Sequence, residues 1–130
     1  MQDPIADAPP FVEKDPTPVF LFVCEDGPNA LAARLAHLTG HLAHVETHWR
    51  RYIVAGPMRQ PNKTTICGSY FLLRAADIDE AWAIMRGDPY VTSELYFKIT
   101  VTDVTPSIGL YVGGKIWTDA AAIIHQATRG

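Results

Sequence analysis

Residues 19–25, VFLFVCE, carry six apolar side chains in a row before the first charge. A strand with no polar face must be covered on both sides, which places it inside a sheet rather than at its edge. Glu25-Asp26-Gly27-Pro28 stops it. The rest of the chain therefore has to supply flanking strands and a layer of helices. Three segments have strand character: YIVAG (52–56), which Pro57 is expected to end, ICGSYFLLR (66–74) and LYFKITVTDV (95–104). In the last of these, Thr and Lys alternate with Ile, Val and Phe.

Two stretches between the strands read as helix. One runs from about Asn29 to Arg50. The other, DIDEAWAIMRG, begins at Asp77, a good N-cap, and ends at Gly87, a natural residue just past a helix. Its apolar residues Ile78, Ala81, Trp82 and Met85 fall at i, i+3, i+4 and i+7, one helix face. MRQPNKTT (58–65) is a polar connection rich in turn formers. The resulting order, β-α-β-β-α-β, predicts an α+β fold with a ferredoxin-like unit over residues 19–109. Residues 1–18 hold prolines at 4, 9, 10, 16 and 18 and predict an extended or disordered arm. In the extension at 110–130, GLYVGGKIW (109–117) reads as a hairpin turning at Gly113-Gly114, and TDAAAIIHQATR (118–129) as a short helix.

Four histidines, 37, 41, 44 and 48, fall within the first helical stretch at helical spacing. Pairs at i, i+4 can chelate zinc. The nearest acid, Glu46, points away from the row, so no metal is expected. Thr39-Gly40 reads as a break, since Thr caps helices and interior Gly costs about 1 kcal/mol against Ala. A helix restarting there puts His41 in its first turn. On a helical wheel Leu42, Val45 and Trp49 form the stripe expected to be buried, with His41 at its boundary and His44 and His48 tilted toward water. In the βαββαβ topology, strands 1 and 2 are parallel with strand 3 between them. One rim of the sheet then collects His41, Gly56-Pro57, Gly68-Ser69 and Asp88-Pro89-Tyr90. Asp88 can orient the imidazole and stabilise its charged form after proton transfer, the arrangement a general base needs. It can equally cap a short helix with Pro89 at N1.

Bulk composition closes off several classes. At 130 residues and 48% apolar the chain is expected to form one domain by its length, with enough apolar residues for a real core. The net charge of −3, without a Lys/Arg cluster, makes nucleic acid and anionic membranes poor partners. No apolar run approaches a membrane span, and without a basic n-region and apolar h-region at the start secretion is not expected. Two cysteines, Cys24 and Cys67, are too few for a disulfide framework, so a reducing cytoplasm is the expected setting.

Arg34-Leu35 ahead of His41-Leu42, Ala55-Gly56-Pro57-Met58, Gly68-Ser69 and Asp88-Pro89-Tyr90, in that order, resemble the YciI-like (YCII-related) family. The resemblance implies a ferredoxin-like protomer pairing into a dimeric α/β barrel, with His41 and Asp88 in the roles of the family's His/Asp site. It departs at Leu38-Thr39-Gly40, where many members have a basic residue and a proline. It departs again at Ser93-Glu94-Leu95, where many have Ala-Gly-Leu and where the carboxylate would sit near the site. The expected function is a small cofactor-independent enzyme doing proton-transfer chemistry (elimination, isomerisation or hydrolysis) on a small cyclic or aromatic substrate. Arg34, Gly56, Pro57, Gly68, Ser69 and Tyr90 would bind substrate. The alternative is a non-catalytic module that binds a small molecule or a protein partner through the same pocket.

Overall fold

The first strand, β1 (Val19–Asp26), lies where its apolar run requires, inside a four-stranded antiparallel sheet. It is flanked by β3 (Ile66–Arg74) and β4 (Tyr96–Val104), with β2 (Tyr52–Arg59) at the edge beyond β3, giving the order β2-β3-β1-β4. The protein is represented by a computed structural model that describes residues 8–122. The chain divides into two compact units, Thr17–Val104 and a second one built from both ends, Met1–Pro16 with Thr105–Gly130.

In the larger unit the connections are helical. After β1 come α1 (Ala30–Ala36), α2 (Leu38–Thr47) and a 3-10 turn (Trp49–Arg51). Between β3 and β4 come α3 (Ile78–Arg86) and α4 (Pro89–Thr92). This is the βαββαβ unit of the ferredoxin-like fold. Side chains of β1 alternate across the sheet: Phe20, Phe22 and Cys24 enter the core, and Leu21 and Val23 on the other face are half-buried. On β3, Ser69, Phe71 and Leu73 are buried while Tyr70 and Leu72 face the opposite way and are half-buried. Ala81, Ile84 and Met85 of α3 close the core, and Trp82 meets Phe22 edge-on at 5.1 Å between ring centres. Asp77 caps α3 as expected, its carboxylate accepting from the Glu80 N–H at 2.8 Å.

Three local expectations change. β2 does not end at Pro57 but runs to Arg59, with Pro57 opposite Ser69 and Met58 opposite Gly68. A proline is tolerated there because β2 is an edge strand. The helix break falls at His37 rather than Thr39, so α2 begins at Leu38 and His41 is its fourth residue. Gly40 has a packing reason instead: a Cβ there would meet Pro89 Cγ at 2.9 Å. The third change concerns which side of α2 is covered. No α2 residue is buried; Leu42 is 46% exposed and Trp49, just beyond it, 61%. His41 is half-buried, at the boundary as expected, and Val45 packs against the core, but His44 and His48, expected to tilt toward water, are half-buried as well. His44 lies against Gly87, where an added Cβ would meet its ring at 2.8 Å.

In the smaller unit, β5 (Ile108–Gly109) and β6 (Gly114–Lys115) form a hairpin whose turn is 110–113, one step earlier than Gly113-Gly114. The described part of the arm pairs with it: Lys115 N–H donates to Pro10 O and Val12 N–H to Lys115 O, both at 2.9 Å. Gly114, at φ 149°, packs so closely on the Pro10 carbonyl that no Cβ fits. A helical turn opens at residue 120, with the Ala122 N–H donating to Asp119 Oδ1. The rest of the expected C-terminal helix lies outside the described residues. Among the described residues no helix is long and apolar enough to cross a membrane.

Candidate functional site

Asp88 is the N-cap of α4, directly before Pro89, and is 1% exposed. Its Oδ1 accepts from the Tyr90 N–H at 2.9 Å, the cap that Pro89 at the first helical position invites. The same carboxylate meets His41 Nδ1 at 2.8 and 2.9 Å. Capping and holding the imidazole are thus done by one side chain. An ionised carboxylate only accepts, so in the neutral imidazole this contact favours the tautomer with the proton on Nδ1 and the lone pair on Nε2. Among the described residues Nε2 has no partner. The ring lies flat on Tyr90, centres 3.8 Å apart and planes 3° from parallel, which fixes its second degree of freedom. Tyr90 is itself tied down by its hydroxyl, which donates to Arg34 O at 3.1 Å.

Arg34, on α1, brings in the next group. Its Nε and Nη2 bond both oxygens of Asp26 at 3.1 and 2.8 Å, and Nη2 also reaches Ser69 Oγ at 3.1 Å and Gly68 O at 3.2 Å. Burial works against its charge, but the hydrogen bond and charge of Asp26 outweigh that and hold its proton more firmly than usual. Ser69 Oγ accepts a further bond from the Tyr96 hydroxyl at 2.8 Å. Burial raises the Tyr96 phenol well above its ordinary range, so that group is a donor. The chain Asp26–Arg34–Ser69–Tyr96 is a fixed polar floor beside the His41–Tyr90 stack.

These side chains border a groove of about 560 Å³ between α1–α2 and strands β2 and β3. Of the residues expected to bind substrate, Arg34, Gly56, Pro57, Ser69 and Tyr90 line it together with His41, and Asp88 stands buried behind the imidazole. Gly68 does not line it. Its reason is steric, since a Cβ would run into the Cys24 carbonyl of β1. Glu94 is exposed, at φ 63°, and is not part of the lining. Asp26 and Tyr96 were not anticipated; Asp26 reads in sequence only as a strand stop. Nor were the apolar walls, Leu31, Leu35, Leu38, Leu42 and Trp49, of which Leu42 and Trp49 belong to the stripe that the helical wheel assigns to the core.

His44 Nε2, outside the groove, and the hydroxyl of Tyr52, which lines it, are buried without hydrogen-bond partners among the described residues, and burial lowers the His44 pKa and pushes the Tyr52 phenol up to about 12. Both cysteines are free, with burial raising the Cys24 thiol to about 12. No three His, Cys, Asp or Glu side chains among the described residues gather as metal ligands would.

The sequence profile of the YCII-related domain matches residues 19–105. The chain belongs to the YCII-related family. Among solved structures it is similar to the 5-chloro-2-hydroxyhydroquinone dehydrochlorinase of Burkholderia phenoliruptrix AC1100 in complex with 2,5-dihydroxybenzoquinone. Identity is 25%, TM-score 0.62, and the match covers 72% of this chain and 97% of that one. No curated protein matches. The YCII-related match begins with β1 and ends just past β4, so it takes in the whole sheet, His41 and Asp88.

Proposed function

We propose that this YCII-related protein is a small enzyme of elimination chemistry on a hydroxylated aromatic ring, with His41 as general base and Asp88 as the group that holds it. The observation that carries the reading is the His41–Asp88 contact at 2.8 Å, made by a buried carboxylate to Nδ1 of a groove-lining residue whose Nε2 has no partner among the described residues. The similarity to a dehydrochlorinase favours elimination over isomerisation or hydrolysis. In the proposed step Nε2 takes the proton of a ring hydroxyl. The ring reacts as the keto tautomer in which one hydroxyl proton has moved to the halogen-bearing carbon; the O–H electron pair of the second hydroxyl then forms a carbonyl, a ring double bond shifts onto that carbon, and the carbon–halogen pair leaves as halide. The proton on His41 and the halide together are the HX removed. Asp88 balances the imidazolium, and Arg34 and Ser69 meet the charge growing on ring oxygen. No cofactor is assigned to this step.

The test is halide release from a chlorinated hydroxyquinol, with His41→Gln as comparison. The reading expects a drop of ~10³-fold in the variant, within the usual span for a lost general base. No release by the native protein, or equal release by the variant, overturns it. We further propose that the protein works as a homodimer through the sheet face away from the helices, where Leu21, Val23, Tyr70 and Leu72 stay half-buried. Light scattering at micromolar concentration should give twice the chain mass; a monomer would contradict the pairing.

A further inference from the structure

The groove is larger and more apolar than a bare hydroxylated ring needs. Its polar side chains, His41, Arg34 and Ser69, are gathered in one place by contacts already described: His41 on Tyr90, Tyr90 on Arg34, Arg34 on Ser69. The rest of the lining is nearly all hydrocarbon. Leu38, Leu42 and Trp49 follow one another along α2 and its end, and they are 43%, 46% and 61% exposed. Large apolar side chains left open in a row, continuous with a polar pocket, are the mark of a binding surface rather than of chance exposure. From His41 to Trp49 is eight residues, about 12 Å along a helix axis, longer than a single six-membered ring. Val45, between them on the same wall, is half-buried and keeps the surface continuous.

We propose, building on the elimination reading, that the natural substrate is an amphiphile: a hydroxylated ring seated at His41, Arg34 and Ser69, carrying a hydrocarbon substituent that lies along Leu42, Val45 and Trp49. The helix supplies the apolar wall and the β2 residues Tyr52 and Ala55 supply the opposite one. Such a chain would be removed from water by side chains that are otherwise exposed, which gives the groove a specificity that ring recognition alone lacks.

The experiment compares two ligands on the full-length protein: 2,5-dihydroxybenzoquinone, and the same ring carrying a hexyl chain, each titrated by its visible absorbance. The hexyl compound should bind at least ~15-fold more tightly, the worth of two buried methylenes at about fourfold each. In the double variant Leu42→Ala with Trp49→Ala that ratio should fall below about threefold, circular dichroism showing that the variant is folded. Equal binding of both ligands by the native protein overturns the extended substrate and leaves the ring site standing. A ratio that survives in the variant places the chain elsewhere and overturns the assignment. Binding of neither ligand overturns the ring site and this inference with it. A ratio near one together with a changed oligomeric mass in the variant shows that a second copy covers the stripe, which also refutes the proposal.

Discussion

Asp88→Asn separates the two duties of one carboxylate. In the native protein two donors converge on it, the Tyr90 N–H at 2.9 Å and His41 Nδ1–H at 2.8 Å. Asparagine is nearly the same size but has one acceptor. If the amide oxygen stays on the Tyr90 N–H, the NH₂ group faces Nδ1, and the imidazole can accept that bond only by moving its own proton to Nε2. The base then points a proton at the groove instead of a lone pair. A charge-assisted bond is exchanged for a neutral one, a loss of about 1–1.5 kcal/mol, with the helix cap kept. Asp88→Ala also removes the cap and leaves His41 Nδ1–H unpaired beside a buried site, which adds about 2 kcal/mol. Urea unfolding of the three proteins measures the ladder, and long-range nitrogen–proton NMR correlation reads the His41 tautomer. The account expects Nδ1–H in the native protein and Nε2–H in Asp88→Asn. The same tautomer in both, or an alanine variant no less stable than the asparagine one, would show that Asp88 does not hold the ring.

Other consequences are more local. Gly68→Ala should cost about 3 kcal/mol in urea unfolding, because its Cβ meets the Cys24 backbone and neither strand can yield cheaply; a mild effect would mean that β1 and β3 are not so close. Glu94→Gly should stabilise by about 1 kcal/mol, since Glu94 sits at φ 63° where glycine carries no Cβ penalty. Thermal melts that show no gain refute the assigned backbone. His44 has a folded-state pKa lowered by burial, so the unfolded chain binds its proton more readily. Its share of stability is whole above about pH 6.5 and is lost as pH falls from there through the folded-state value. His44→Gln should flatten the fall in urea midpoint over that window, and an unchanged slope would place His44 in solvent.

How much of this could be read from residues alone divides along physical lines. β1 was legible because six apolar residues in a row admit only a central position, and β1 indeed lies between β3 and β4. The rim was legible because strand direction follows from element order. Asp88 stood out by its neighbours, Gly87 before it and Pro89 after, and a cap there is forced to lie at the same rim of the sheet as His41 and Gly68-Ser69. The exposure of Leu42 and Trp49 was not legible. Hydrophobicity shows that a helix has an apolar stripe, but not whether protein, ligand or a second chain covers it, and here Leu42 and Trp49 line a groove while the histidine face meets Gly87 and Asp88. β2 ran past Pro57 because edge position belongs to the topology, which a local reading of proline does not contain. Asp26 was passed over for a similar reason: its partner Arg34 is a helix away, and nothing in the turn Glu25–Pro28 distinguishes an ion-pairing aspartate from a strand stop.

The central claim is that His41 presents an unprotonated Nε2 to the ring of a ligand while Asp88 holds Nδ1. A crystal structure with 2,5-dihydroxybenzoquinone bound tests it most directly. The account predicts a ring oxygen within hydrogen-bond reach of Nε2, ~2.6–3.2 Å, with the Nδ1–Asp88 contact intact and the ring edge toward Arg34 and Ser69. A ligand seated away from His41, or an imidazole that has left Asp88 to meet it, would contradict the account.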